Sequence, residues 1–93
     1  MPFVTESNRI YYEQEGRTLA EITSPALDDT TVNIDHTFVD ECLRGQGVAG
    51  RLMELAAAEL ERTGRKAVAT CSYARRWLEN HPDQAEKLQR KKG

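Results

Sequence analysis

The chain has 93 residues, 39% of them hydrophobic and 30% charged, which gives room for one domain around one hydrophobic core, spanning 1–93, and excludes a second catalytic domain. A formal net charge of -2 at pH 7 and a pI near 5.7 supply no broad attraction for nucleic acid, whose binding leans on clustered Lys and Arg. The basic residues that do cluster, Lys87, Arg90, Lys91 and Lys92, sit at the C-terminus, where a solvated tail accounts for them.

In chain order, Arg9-Ile10-Tyr11-Tyr12-Glu13 joins aromatic and β-branched residues, and Gln14-Glu15-Gly16-Arg17 supplies a turn with a glycine for positive φ. Thr18 to Thr23 resumes a strand, with Leu19, Glu21 and Thr23 alternating against Ala20, Ile22 and Ser24, and Ser24-Pro25 ends it. The pair reads as an antiparallel hairpin. Thr31 to Val39 is the clearest strand: Val32, Ile34, His36 and Phe38 share one face, while Asn33, Asp35 and Thr37 share the other.

That strand runs into a glycine-rich turn, beyond which Val48, Leu52, Leu55, Ala56 and Leu60 recur at helical spacing, opposite Arg51, Glu54, Glu61 and Arg62. Gly64 fits the left-handed stop of this helix. Lys66 to Cys71 is a short, nearly continuous apolar run, as expected of a strand buried on both faces beside a parallel neighbour, so strand, helix and strand form a βαβ unit. Ser72 is placed to cap a short helix through Trp77 and Leu78, and His81-Pro82 breaks it before a last helical stretch through Ala85 and Leu88. The cysteines, Cys42 and Cys71, have neither CxxC spacing nor a nearby His/Cys pair, so no metal site is expected. With no leader-like segment and no apolar run near the ~18 residues that span a membrane, two free thiols in a reducing cytoplasm follow.

A strand end, a glycine bend and a helix start place several unpaired N–H groups around one point, reinforced by the positive end of the helix dipole. Gly45, Gly47 and Gly50 suit such a bend, because a Cβ there blocks the backbone conformation or keeps a phosphate from the amides. Gly45-Gln46-Gly47-Val48-Ala49-Gly50 spells the dinucleotide fingerprint G-x-G-x-x-G. Its context fails, since that motif expects an acidic residue at the end of the next strand, and here the strand ends in Thr70-Cys71-Ser72.

Arg44-Gly45-Gln46-Gly47-Val48-Ala49 instead resembles the acetyl-CoA turn of the GNAT superfamily, Gln/Arg-x-x-Gly-x-Gly/Ala, at every specified position. The run Ile34 to Glu41, then Cys71-Ser72-Tyr73 and His81-Pro82, looks like the small single-domain branch of that superfamily, from about Arg9 to Leu88. The resemblance implies an α/β (α+β) fold, with antiparallel strands, a parallel strand after the βαβ crossover and helices packed on the mixed sheet. It implies that the amides of Arg44, Gly45, Gln46, Gly47, Val48, Ala49 and Gly50 hold the pyrophosphate of acetyl-CoA and that the pantetheine arm pairs with the strand at Val39. By charge, Arg76, with Arg75 on the same helix, is placed either to reach the adenosine end or on a solvated helix face.

The implied activity is acetyl transfer to an amine, such as a protein lysine, an N-terminus or a small amine; the alternative is a coenzyme A binding module without turnover. Cys71 is either a nucleophile at the thioester or a small buried residue. Tyr73 matches the tyrosine that protonates the coenzyme thiolate in larger members, or packs as a plain aromatic. Glu41, with Asp40, is either a general base or part of a solvated turn. His36 reads as a hydrogen-bonded core histidine. The chain lacks the helical region after the first strand and the C-terminal strands of larger acetyltransferases, so the acceptor side is expected to be open or completed by a partner.

Overall fold

The computed structural model describes residues 3–89; Arg90, Lys91 and Lys92 of the basic cluster lie outside them. Six strands and three helices follow one another: β1 (Val4–Glu6), β2 (Arg9–Gln14), β3 (Arg17–Thr23), β4 (Thr31–Ile34), β5 (His36–Val39), a 3-10 turn (Glu41–Leu43), α1 (Val48–Thr63), β6 (Lys66–Ala69), α2 (Ser72–Asn80) and α3 (Pro82–Leu88). The fold is mixed α+β. Strands β1-β2-β3-β5 form an antiparallel sheet in that order, and β4 pairs with β6 in parallel.

The β2–β3 hairpin closes through Glu15 and Gly16, both at positive φ, 52° and 78°, the twist that a two-residue hairpin loop requires. Its ladder does not keep the simple alternation read from the sequence. Tyr12 faces Ala20 while Glu13 faces Thr18, so Leu19 is an extra residue in a bulge. Leu19 and Ala20 are consequently adjacent and both buried. The expectation that they would point to opposite faces is corrected by this one inserted residue. Strand β1, which pairs with β2 from Val4 to Glu6, is too short and exposed to be seen in the hydrophobic pattern.

The stretch from Thr31 to Val39 is not one strand. Val32 and Ile34 are buried in β4 against β6, whereas His36 and Phe38 of β5 are exposed. Asp35 divides them: its N–H donates to Thr23 O at 3.3 Å and its carboxylate accepts from Thr23 Oγ1 at 2.6 Å. The irregularity turns the chain, so His36 is a solvent-facing residue and not the core histidine expected.

In α1 the buried face is Val48, Leu52, Met53, Ala56, Ala57 and Leu60, with Leu55 only partly covered, and it lies over Ile10, Ala20 and Ile22 of the sheet. Gly64 stops the helix at φ 69°, donating back to Glu61 O at 3.3 Å. Strand β6 buries only Ala67 fully, with Val68 and Ala69 half-buried and Lys66 exposed, and beyond α3 Gln89 forms an isolated bridge with Ala67; full burial on both faces was expected and is not found. Cys71, not Ser72, caps α2. The break at Pro82 stands, fixed by His81, whose Nδ1 lies 2.7 Å from Trp77 O and whose ring stacks on Trp77 at 4.1 Å.

Leu52 has no exposed surface. Leu52→Ala is expected to cost about 2–5 kcal/mol, read as a lower urea midpoint with an unchanged slope.

Candidate functional site

Beyond β5, Asp40 starts the 3-10 turn, its side chain accepting from Cys42 N–H at 3.0 Å. That N–H, the Cys42 thiol and the nearby Arg17 and Arg44 together hold the Asp40 carboxyl below the usual range; the same contact pushes the Cys42 thiol up. Leu43, buried beneath the turn, anchors the bend, and Gln46 N–H closes it on Leu43 O at 3.3 Å. Gly45 and Gly47 then stand at φ 83° and 73°, where a side chain is strained.

The first bond into α1 runs from Arg51 N–H to Gly47 O at 3.0 Å. The amides of Gly45, Gly47, Val48, Ala49 and Gly50 therefore have no backbone acceptor among the described residues, and the helix dipole places partial positive charge at the same spot. They border a cavity of about 240 Å³, lined by Val39, Leu43, Arg44, Gly45, Gly47, Val48, Ala49, Gly50 and Tyr73. Three larger cavities, about 560 Å³ beside β6 and α3, about 490 Å³ between α1 and the α2–α3 pair and about 270 Å³ beside Gly64, Arg65, Lys66 and Lys87, contain none of these amides. The acceptor-free amides are gathered in the smallest of these four.

A second feature adjoins the first. Ile34 O accepts from both Thr70 N–H and Cys71 N–H, each at 3.1 Å, and past this tie β5 stays with β3 while the other chain turns into α2. Asp40 N–H bonds to Leu19 O at 2.7 Å, so by strand alternation the peptide groups of Val39 and Thr37 face away from β3, toward the opening. Cys71 sits there at the N-cap of α2, with Sγ 3.5 Å from Thr37 Oγ1. Burial raises the Cys71 thiol, but the Thr37 hydroxyl and the backbone N–H groups of Ala74, Tyr73 and Thr37 outweigh it and leave the thiol below its ordinary value. Tyr73 is pushed up by burial, which keeps the phenol protonated; its hydroxyl would lie 3.7 Å from a Cβ placed on Gly50.

Of the residues singled out in the sequence, Val39, Arg44, Gly45, Gly47, Val48, Ala49, Gly50 and Tyr73 thus share one cavity. Gln46 belongs to the turn, but its side chain donates to Cys42 O at 3.3 Å. Glu41 and Arg76 are exposed, on the 3-10 turn and on α2, and neither borders the cavity. Sequence reasoning missed Leu43, although it is the one aliphatic residue between Val39 and Val48, and it missed Thr37, whose signal was only its place two residues before the strand end. Among the described residues no group of three or more His, Cys, Asp or Glu is placed to hold a metal ion, and no helix is long and apolar enough to cross a membrane.

The sequence model of the GCN5-related N-acetyl-transferase family matches residues 9–88, the span holding both the turn and the cleft. The chain belongs to this family. Among solved structures, it is similar to a GCN5-like protein from Staphylococcus aureus, with 30% identity, a TM-score of 0.78, and 98% of this chain and 90% of that one covered. A ribosomal-protein-alanine N-acetyltransferase from Brucella melitensis shares the fold at 19% identity and a TM-score of 0.60, over 78% of this chain and 61% of that one. A GNAT family acetyltransferase from Elizabethkingia anophelis, solved with acetyl-CoA bound, shares it at 17% identity and a TM-score of 0.60, over 80% and 51%. The chain thus spans about half to three-fifths of the length of these last two. No curated protein matches it.

The two kinds of glycine in the GNAT turn separate by substitution. Gly47→Ala puts a Cβ at φ 73° and is expected to cost about 1–2 kcal/mol. Gly50→Ala meets only Tyr73 Oη, at an ordinary 3.7 Å, inside a helix where alanine gains about 1 kcal/mol over glycine. Urea unfolding of both variants checks this; equal losses would mean that the positive φ does not constrain the turn.

Proposed function

We propose that this chain binds coenzyme A at the turn from Arg44 to Gly50 and transfers the acetyl group of acetyl-CoA to an amine. The observation that carries the proposal is the set of five backbone amides without acceptors, at Gly45, Gly47, Val48, Ala49 and Gly50, around one cavity. Such amides at a helix start suit a diphosphate, and Arg44, which also lines the cavity, adds a charge-assisted donor. The free edge of β5 at Val39 offers N–H and C=O groups to the amides of a pantetheine arm, as an added strand would take them. The acetyl-CoA in the Elizabethkingia anophelis structure supports the same ligand here by family and fold.

Acetyl transfer needs a neutral amine, donors for the developing oxyanion and a proton for the departing thiolate. Tyr73, kept protonated by burial, is the proton donor in this reading, and Cys71 is the candidate for nucleophilic chemistry. Glu41, exposed just past the end of β5, takes a proton from an incoming amine if the amine enters over that end. Arg76 meets the adenosine end only through its flexible side chain. The domain works as a single unit in the cytoplasm, and its acceptor is a protruding amine, such as a lysine or a protein N-terminus.

A second reading, a coenzyme A binding module without turnover, draws on the exposed outer face of β5 at His36 and Phe38, where nothing walls in an acceptor. Calorimetry with coenzyme A, acetyl-CoA and NAD is expected to give binding for the first two and none for NAD. Arg44→Ala is expected to weaken coenzyme A about tenfold, the value of one charge-assisted hydrogen bond. Mass spectrometry of a lysine peptide pool incubated with acetyl-CoA is expected to show acetylated products. Binding with no mass gain on any peptide would move the chain to the second reading, and preference for NAD would end both.

A further inference from the structure

The cavity of about 490 Å³ between α1 and the α2–α3 pair is lined by different chemistry from the coenzyme cavity. From α1 it takes Glu54 and Glu61, two helical turns apart on one face, with Ala57 and Ala58 between them. From the α2–α3 pair it takes Trp77, His81 and Gln84. No lysine or arginine borders it, whereas Arg44 and the free amides border the other.

Unpaired acceptors gather here. Gln84 Oε1 is buried with no hydrogen-bond partner among the described residues, a costly state for an amide oxygen. Glu54 pairs with Arg51 at 3.7 Å on the exposed surface, and the Glu61 carboxylate has no ion-pair partner among the described residues. His81 Nδ1 lies 2.7 Å from Trp77 O. A carbonyl only accepts, so that nitrogen carries the hydrogen, and the neutral ring keeps Nε2 as an acceptor. The apolar part of the lining is the buried Trp77, stacked on His81 at 4.1 Å, together with the two alanine side chains.

Two carboxylates repel a phosphate, and among the described residues no group of three His, Cys, Asp or Glu is placed for a metal ion. Acidic groups over an apolar wall suit an organic cation, whose stem packs on the wall while its charged head meets the acceptors. The volume lies in the range of ordinary small-molecule sites.

We infer that this cavity is a second ligand site, separate from the coenzyme turn, that takes an alkylammonium group: the head of a free aliphatic amine or of a lysine side chain. Glu61 carries the ion pair, Glu54 adds negative charge, and the Gln84 oxygen gains the donor it lacks. The stem lies along Trp77, Ala57 and Ala58. The site is one turn further along the same two helices as the coenzyme cavity, since Gly50 and Tyr73 border that one and Glu54 and Trp77, four residues on in each helix, border this one.

Trp77 is the single tryptophan, so its emission and its indole N–H resonance report on this cavity. The chain is titrated with n-butylammonium, N-acetyl-lysine methylamide and n-butanol at constant ionic strength. Both ammonium probes are expected to give saturable changes with dissociation constants on the order of 1–10 mM, and n-butanol none in the same range. The tighter of the two ammonium probes identifies the source as a free amine or a lysine side chain. Glu61→Gln is expected to weaken n-butylammonium about fivefold, as for one partly exposed ion pair, and Gln84→Met about threefold. The inference is overturned by the absence of saturation with either ammonium probe, by an equal response to n-butanol, or by unchanged affinity in both variants.

Discussion

Residues 31–39 pair with two different strands, and the cleft between the sheets exists because they cannot do so along their whole length. The first four pair in parallel with β6 and the last four pair antiparallel with β3. The change is made at Asp35, held by two hydrogen bonds to Thr23, and the parallel ladder is closed by Ile34 O, which accepts from two successive amides of the other chain. Among the described residues, no third strand fills the gap beyond that double bond. The free edge of β5, the position of Cys71 and the direction in which the chain enters its glycine turn all follow from this one change of partner.

The turn then has to hold its amides outward against the tendency of any backbone donor to find an acceptor. Three constraints do this. Gly45 and Gly47 take conformations that fold the chain back without a local N–H acceptor; Asp40 occupies Cys42 N–H, and Arg17 lies 3.8 Å from the Asp40 carboxylate; Leu43 plugs the bend into the core. Helix α1 supplies the rest, since Val48, Leu52 and Met53 are buried within its first turns, so its N-terminus is fixed by packing and cannot fray to satisfy the amides. Positioning a ring of donors in advance removes an ordering cost from any anion that binds.

Much of this was legible from the residues. The hairpin, α1 with its Gly64 stop, the break at Pro82 and the glycine turn before α1 were all visible, because glycine, proline and 3.6-residue periodicity are local signals. The errors share one physical origin. The bulge at Leu19, the switch at Asp35 and the half-exposed state of β6 are decided by which strand pairs with which, and pairing is not local. An unbroken two-residue alternation from Val32 carries His36 inward; one irregular residue, Asp35, turns it out. Arg76 and Glu41 are exposed, on α2 and on a 3-10 turn beyond β5, because helical spacing places a helix without fixing which way each residue faces and does not signal a short 3-10 turn. The contact of Thr37 with Cys71 is invisible in the sequence because the two lie 34 positions apart in the chain.

The two cysteines show how little the residue type decides. Cys42 is exposed and lies beside the Asp40 carboxylate, which accepts a hydrogen bond and repels a developing negative charge; its thiolate is disfavoured. Cys71 is partly buried, which by itself also disfavours the thiolate, yet its neighbours are all donors: a hydroxyl from β5 and peptide N–H groups from β5 and from the start of α2. Burial still opposes the thiolate here, and the donors together outweigh it. The opposite shifts of the two thiols are therefore set by the polarity of a few neighbouring atoms, and those atoms are brought to Cys71, and kept from Cys42, by the parting of the two sheets.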